Sequence, residues 1–271
     1  MKVYIQVDEN EIPRSKNFAY AYYGFHEMGF EIRYFKRVTE IIDNEPEDVI
    51  VGFVDEVRYM LQKLNCDATE VDYPDEIQKY LGRKIWKSTV NRINNDPSLW
   101  PVFMKPIESK LFTGVVVRST HDLIGCGAKP NAECYCSEIV NFVSEWRVFV
   151  RYGKILDVKH YLGDWKLHYD ANIIEACLND YESQPAGFTM DFGLTDDGRT
   201  LLIEVNDGYS IGCYGLDPID YAKLLSARWA ELTKTEDECD FMHDKIVWGS
   251  TKDISNEETK YIKKSSWWYY F

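Results

Sequence analysis

The sequence has no long apolar run, no signal-like start and few residues that break regular structure. No hydrophobic stretch approaches the ~18 residues that a membrane-spanning helix needs, which argues against a helical membrane protein. Residues 1–13 carry several carboxylates and no apolar core, so they do not resemble a secretory signal peptide. With only 9 prolines and 16 glycines in 271 residues, no long segment is predicted to be disordered. We therefore expect a folded, cytoplasmic protein without a membrane partner.

Paired cysteines and positive charge are also scarce. The 7 cysteines are odd in number, irregularly spaced and without a Cys-x-x-Cys pair, a pattern typical of reduced thiols. Cys134 and Cys136 lie two residues apart, but small strand residues explain them better than zinc, which needs four ligands. Lys and Arg total 31 against 45 Asp and Glu, and the net charge of -14 would repel a nucleic-acid backbone. Nucleic acid is therefore not an expected partner.

The N-terminal part of the sequence alternates strand-like and helix-like patterns. Strands are predicted at residues 3–7, 31–36 and 49–54, and apolar residues at helical spacing predict helices at 18–28 and 57–64. This β-α-β-α order favours a small parallel sheet. We predict an N-terminal α/β domain over residues 1–80.

From about residue 80 the pattern changes to short strands separated by tight turns. A helix through Arg83, Trp86 and Val90 is predicted first, followed by strands that form mostly antiparallel hairpins. The predicted strands cover residues 102–104, 114–118, 134–142, 145–151, 155–161, 188–194 and 200–205, and the helices 172–181 and 218–232. Residues 236–271 form a C-terminal extension whose aromatic end we expect to pack on its own domain.

The hairpin around Asp197 and Gly198 carries the strongest functional signal. A two-residue type I′ turn there places Asp191 opposite Glu204, with Cβ atoms about 5 Å apart. Asn206 points to the same face. Close carboxylates need a cation between them, and Mg²⁺ accepts such oxygen ligands together with water and phosphate. The pattern predicts a magnesium site, and its alternative is the exposed acidic face of a surface hairpin.

A glycine-rich loop at residues 208–215 directly follows this hairpin, and its backbone can approach a phosphate or acyl group closely. Lys105 ends an apolar strand, where its ammonium needs an anion such as phosphate. Lys110 follows in a turn that could fold over a nucleotide. Strand alternation puts Glu145 and Arg147 on one face, where they form either a surface ion pair or a site for ribose and phosphate.

Taken in order, these features resemble the ATP-grasp superfamily over about residues 81–232. The strings FMKP, KLFTG, EWRVFV and IEVNDGYSIGCYG are similar to those of small stand-alone ATP-grasp proteins of phage and bacterial genomes. The resemblance implies an α/β (α+β) fold in which the small parallel domain precedes an ATP-grasp domain at residues 81–235. Two α+β subdomains of that domain, at about 81–136 and 137–235, clasp the nucleotide.

The resemblance also implies roles for individual residues. Phosphate contacts fall to Lys105 and Lys110, and to Lys159 with His160 or Lys166 as alternatives. The backbone of Ser137, Glu138, Ile139 and Val140 reads adenine, Glu145 binds ribose, and Asp191, Glu204 and Asn206 bind Mg²⁺. The implied catalytic residues are Arg147, Lys105, Lys110 and Arg83.

One position departs from the family pattern. Many ATP-grasp ligases have an arginine two residues before the metal aspartate, whereas this chain has Thr189, so either Arg147 or Arg83 substitutes or the chemistry differs. The implied function is an ATP- and Mg²⁺-dependent ligase that joins a carboxylate to an amine or thiol through an acyl phosphate and releases ADP and phosphate. Its expected substrates are small-molecule or peptide carboxylates and amines. A kinase on the same scaffold and a nucleotide-binding regulatory module are the alternatives.

Overall fold

The computed structural model describes residues 1–68, 71–108 and 111–240, so Lys110 and the aromatic C-terminal end lie outside the described residues. The chain begins with a parallel sheet in the strand order β2-β1-β3, which confirms the predicted β-α-β-α pattern. Ser15 caps the first helix by accepting a hydrogen bond from the Asn17 amide. The elements are β1 (Lys2–Gln6), α1 (Lys16–Glu27), β2 (Glu31–Phe35), β3 (Val49–Val51) and α2 (Val54–Lys63).

A second sheet is antiparallel and has the strand order β4-β7-β5-β6. Its strand β5 carries Lys105 near its end, as predicted. Cys134 and Cys136 lie buried on one face of β7, with sulfurs 3.7 Å apart, as free thiols. The elements are β4 (Ile85–Thr89), α3 (Val90–Asn95), β5 (Val102–Pro106), β6 (Val115–Val117) and β7 (Glu133–Ser137).

The helix predicted through Arg83, Trp86 and Val90 is wrong. This stretch forms β4, and a short helix begins only at Val90, where Thr89 accepts a hydrogen bond from the Arg92 amide. Every residue of β4 pairs with β7 in an antiparallel ladder. Pairing with a distant strand therefore overrides the helical spacing of the local sequence.

The third sheet is also antiparallel, in the strand order β11-β10-β8-β9, and confirms the predicted C-terminal hairpins. Apolar side chains of β8, β10 and β11 pack with α4 in one buried cluster. The elements are β8 (Phe142–Arg151), β9 (Lys154–Gly163), α4 (Ala171–Asp180), β10 (Gly187–Thr195), β11 (Thr200–Asp207) and α5 (Pro218–Thr233).

Helix α5 packs against the N-terminal sheet. Its residues Tyr221 and Trp229 share one buried cluster with Val3 of β1 and Phe25 of α1. Gly24 of α1 permits the close approach, because a Cβ there would lie 1.9 Å from the backbone oxygen of Pro218. The N-terminal sheet thus shares its core with a late helix, and the domain limits 1–80, 81–235 and 236–271 remain predictions. Within the described residues, every helix is too short or too polar to cross a bilayer.

Candidate functional site

Four charged residues form one row across the third sheet. Strand register places Glu204 opposite Asp191, Asp191 opposite Arg147, and Arg147 opposite Lys159. Directly opposed residues share a face of the sheet, so two carboxylates and two cations lie side by side across four strands. The sheet therefore brings together residues that are far apart in the sequence.

The predicted pairing of Asp191 with Glu204 is correct, but the turn that was expected to set it is wrong. The loop spans residues 196–198 and is closed by a hydrogen bond of 2.9 Å from the Thr195 amide to the Arg199 carbonyl. Compared with the predicted two-residue turn, a loop of three residues shifts the register of the two strands by one position. A β-bulge next to Asp191 then restores the pairing at the site.

Arg147 holds Asp191 in a buried, two-pronged ion pair. Its Nε donates to Oδ1 at 2.7 Å and its Nη2 to Oδ2 at 2.6 Å, and the two residues are 7% and 2% exposed. Burial raises the pKa of Asp191 to about 6, against the lowering effect of Arg147. On the other side, the Arg147 guanidinium lies 4.5 Å from the ring centre of Tyr214. The carboxylate and the ring together fix the position of this cation.

Lys105 links the second sheet to the third. Its Nζ donates to Oδ1 of Asp72 at 2.6 Å and to Oε2 of Glu204 at 2.8 Å. The ring of Tyr73 lies 4.6 Å from the same ammonium. Burial lowers the pKa of Lys105, but Glu204, Tyr73 and Asp72 raise it further, so the lysine stays charged. Conversely, burial raises the pKa of Glu204, but Lys105, Asn206 and Arg147 together outweigh burial and hold this pKa below its usual value.

Asn206 completes the oxygen-rich face beside these ion pairs. Its Nδ2 donates to Oε1 of Glu204 at 3.1 Å and to Oδ2 of Asp191 at 3.4 Å. The predicted convergence of the three side chains is therefore present. Across residues 1–68, 71–108 and 111–240, no three His, Cys, Asp or Glu side chains are grouped to hold a metal ion alone. The oxygens of Asp191, Glu204 and Asn206 nonetheless fit Mg²⁺, which takes most of its ligands from water and phosphate, and a carboxylate oxygen that accepts one hydrogen bond keeps a second lone pair.

An open cleft of about 420 Å³ lies over this face. The loop at residues 208–215 forms one wall and is tied to the end of β3 and to helix α1. Ser210 Oγ donates to the Gly52 carbonyl at 2.7 Å, and the Cys213 amide donates to Asn17 Oδ1 at 3.1 Å. The polar and charged residues that line the cleft are Arg58, Asp72, Lys105, Arg147, Glu204, Asn206, Asp207, Tyr209 and Ser210.

Arg83 and Thr189 lie outside the lining of the cleft. Arg83 donates Nη1 to the carbonyls of Leu81 and Leu202, at 3.0 and 2.8 Å, and Nη2 to that of Ile203 at 2.8 Å. Burial lowers its pKa, with Tyr73 and Glu204 acting in the opposite direction. Thr189 is fully buried, and its hydroxyl has no hydrogen-bond partner among the described residues. Of the two arginines that could substitute at position 189, Arg147 is the one that reaches the cleft.

The other predicted residues that the structure describes, Asp191 among them, also lie outside that lining. Ser137 ends β7, and Glu138, Ile139 and Val140 form the connection to β8 between the second and third sheets. Glu145 accepts a hydrogen bond of 2.6 Å from the Tyr161 hydroxyl, and Lys159 pairs with Asp157 at 2.6 Å.

The sequence analysis did not identify Asp72, Tyr73, Arg58 or Tyr209. Arg58 on α2 donates to the Tyr209 hydroxyl at 2.9 Å, and Asp72 bonds the Lys105 ammonium. The adjacent residues Asp72 and Tyr73, just before the second sheet, were the only hint in the sequence. No local sequence pattern connects these two residues to Lys105.

The comparisons with known proteins agree with the fold. Residues 80–224, more than half of the chain, match the family model described as ATP-grasp domain, R2K clade family 2. The chain therefore belongs to the ATP-grasp superfamily. Within that superfamily it is a member of family 2 of the R2K clade. No curated protein matches the chain.

Solved structures show the same fold at low sequence identity. D-alanine–D-alanine ligase from Bacillus anthracis complexed with ATP is 16% identical, with a TM-score of 0.53, over 86% of this chain and 96% of that chain. N5-carboxyaminoimidazole synthetase from Staphylococcus aureus is 10% identical, with a TM-score of 0.53, over 86% and 77%. The corresponding synthase from Aspergillus clavatus, in complex with ADP and 5-aminoimidazole ribonucleotide, is 12% identical, with a TM-score of 0.51, over 87% and 77%.

Proposed function

We propose that this protein is an ATP-dependent ligase that activates a carboxylate as an acyl phosphate and joins it to an amine or thiol. The observation that carries the proposal is that Lys105, Arg147, Glu204 and Asn206 line one cleft of about 420 Å³ in an ATP-grasp chain. A cleft with fixed cations and oxygen ligands suits phosphoryl transfer, which depends on positioning and charge stabilisation. The similar ligase structures, one complexed with ATP, support the same proposal.

The nucleotide site is proposed from the second and third sheets. Lys105 and Lys110 contact phosphates, with Lys159 as a further phosphate contact at the end of the charged row. The backbone of residues 137–140 binds adenine, and Glu145 accepts from the ribose hydroxyls. Asp191, Glu204 and Asn206 are the proposed Mg²⁺ ligands, with Arg147 bonded to the same Asp191 carboxylate. Bound Mg²⁺ supplies neutralisation of the phosphate charge during transfer.

Arg147 is proposed to hold the acyl phosphate in place of the arginine that Thr189 replaces. Its Nε and Nη2 bond Asp191, whereas a Cβ added at Gly212 would lie 3.3 Å from its Nη1. The glycine thus leaves Nη1 open to a bound oxyanion. The substrate carboxylate attacks the γ-phosphate, ADP leaves, and the amine or thiol then displaces phosphate from the acyl carbon. Arg83 is proposed to position the hairpin through the carbonyls it bonds.

The test is ADP release from ATP in the presence of Mg²⁺ and panels of amino acids, peptides and polyamines, with mass spectrometry of the product. Glu204→Gln should reduce ADP release by about 10²-fold or more, because it removes a charged ligand at the site of transfer. Glu31→Gln is the matched control, since Glu31 pairs with Arg33 on the surface far from the cleft. Unchanged turnover in Glu204→Gln would rule out this role, and a phosphorylated hydroxyl product would indicate a kinase.

A nucleotide-binding module without turnover is the second candidate. It is favoured by the bonding of both Asp191 oxygens to Arg147 and by the buried, unpartnered hydroxyl of Thr189. Calorimetry and the ADP-release assay together separate the candidates. A binding module binds ADP with Mg²⁺ in the calorimeter but releases no ADP from ATP with any substrate pair.

A further inference from the structure

The segment at residues 71–73 runs beside the site without belonging to any of the three sheets. The Val205 amide of β11 donates to the Asp72 carbonyl at 3.0 Å, which holds the segment on the outer edge of the third sheet. Tyr73 packs edge-on against Tyr135 of β7, with ring centres 4.9 Å apart. These contacts place the Asp72 carboxylate at the Lys105 end of the cleft.

The Lys105 ammonium is already paired with two carboxylates. It has three N–H donors, of which one bonds Asp72 at 2.6 Å and another bonds Glu204 at 2.8 Å. The face of Tyr73 covers the same group at 4.6 Å. Two carboxylates on one ammonium leave a net charge of about −1 where the proposed function requires a polyphosphate to bind. A phosphate oxygen would therefore meet net negative charge at Lys105 unless one carboxylate leaves.

The two carboxylates are not equivalent. Glu204 also accepts a hydrogen bond from Asn206 and is fixed by the ladder of β10 and β11. The Asp72 carboxylate bonds Lys105 from a connecting segment outside the sheets, which among the described residues is held by a strand-edge hydrogen bond, by ring packing and by apolar packing of Val71 and Tyr73. Asp72 is thus the carboxylate that can leave with little disturbance of the sheet.

We propose that Asp72 is an exchangeable counter-ion that occupies the phosphate position on Lys105 and is displaced when a nucleotide binds. The inference rests on the proposed nucleotide site. Asp72 acts through Lys105 and is therefore a positioning residue. Its carboxylate lowers the affinity for the nucleotide and keeps the half-buried lysine paired when no nucleotide is bound. Displacement frees a carboxylate inside the cleft only after the phosphates have arrived.

The test is calorimetric binding of ADP and of adenosine, each with Mg²⁺, to the full chain. Asp72→Asn keeps the shape of the side chain and removes its charge, so ADP should bind about tenfold more tightly, whereas adenosine, which has no phosphate, should bind as to the unaltered protein. Asp75→Asn is the matched control. It makes the same charge change three residues away, where the exposed carboxylate bonds only Gln78 among the contacts described.

The sign of the effect separates this role from a structural one, because loss of a structural contact would weaken binding. Unchanged or weaker ADP binding by Asp72→Asn, or an equal gain for adenosine, would overturn the inference while leaving the nucleotide site in place. If Asp75→Asn also bound ADP more tightly, the gain would come from the overall change in net charge, and the inference would be overturned as well. If no variant binds ADP, both the inference and the proposed function are wrong. If Asp72→Asn bound ADP while the unaltered protein and Asp75→Asn did not, the inference would be supported, because Asp72 would then block the phosphate position completely.

Discussion

The two arginines that the sequence offered as phosphate ligands, buried Arg147 and half-buried Arg83, have opposite environments. Arg147 lines the cleft, and its charge is matched by the buried carboxylate of Asp191 beside it. Arg83 bonds three backbone carbonyls at the edge of the hairpin. A guanidinium can therefore either pair with a carboxylate or donate hydrogen bonds to backbone carbonyls. Only the bonding partner tells these two roles apart.

The difference follows from how each arginine is positioned. Strand register fixes Arg147, because β8 lies directly beside β10 and sets Arg147 opposite Asp191. Arg83 precedes β4 and reaches across to the carbonyls of Leu202 and Ile203, which the bulge in β11 leaves available. The first arginine is built into the site, and the second holds the strand that carries Glu204.

Removing Arg147 is expected to have the largest effect. Arg147→Ala leaves the Asp191 carboxylate buried without a cation, which should lower the free energy of unfolding by about 3 to 5 kcal/mol and eliminate ADP release. Urea denaturation followed by circular dichroism measures the first effect. The control is Arg33→Ala, which breaks an exposed pair with Glu31 and should cost less than about 1 kcal/mol. Equal losses in both variants would contradict a special role for the buried pair.

Shortening Arg83 to lysine is expected to have a smaller effect of a different kind. Arg83→Lys cannot satisfy all three carbonyls, so unfolding free energy should fall by about 1 to 3 kcal/mol, while the KM for ATP should change little. Arg147→Lys, in contrast, keeps the charge and loses the fork, so turnover should fall more than stability. If Arg83→Lys instead lost turnover at unchanged stability, Arg83 would be in contact with the phosphates and the comparison would be reversed.

Much of the fold follows from local patterns in the sequence. Alternating apolar residues and helical spacing were enough to predict the parallel sheet, the antiparallel strands and helices α4 and α5. Strand β4 escaped prediction because it gains its structure from pairing with β7, some fifty positions away in register, with Trp86 opposite Cys136. Local spacing cannot report such a partner.

The site shows the same division between local and distant information. Asp191, Glu204 and Asn206 were predictable because one hairpin carries all three, even though the turn and the bulge together, rather than the turn alone, set the register. The partners of Lys105 and Arg83 were not predictable. Asp72 is 33 positions from Lys105, and the carbonyls that Arg83 bonds are 119 and 120 positions away. Such contacts depend on how the sheets pack, which no single element encodes.

The smallest expected effect is on the pH dependence of ADP release, and it distinguishes the two arginines because only Arg147 forms an ion pair with a carboxylate. Burial raises the pKa of Asp191 to about 6, so the carboxylate that holds Arg147 is charged only above about pH 6. As the pH falls through this value, a proton replaces the charge, Arg147 loses its counter-ion, and ADP release should decline with a midpoint near pH 6. The backbone partners of Arg83 do not titrate in this range. ADP release measured from about pH 5 to 8, with circular dichroism at each pH as the control for folding, tests this expectation. A midpoint near the ordinary carboxyl value of about 4 would mean that Asp191 is not the group that sets the acid limb.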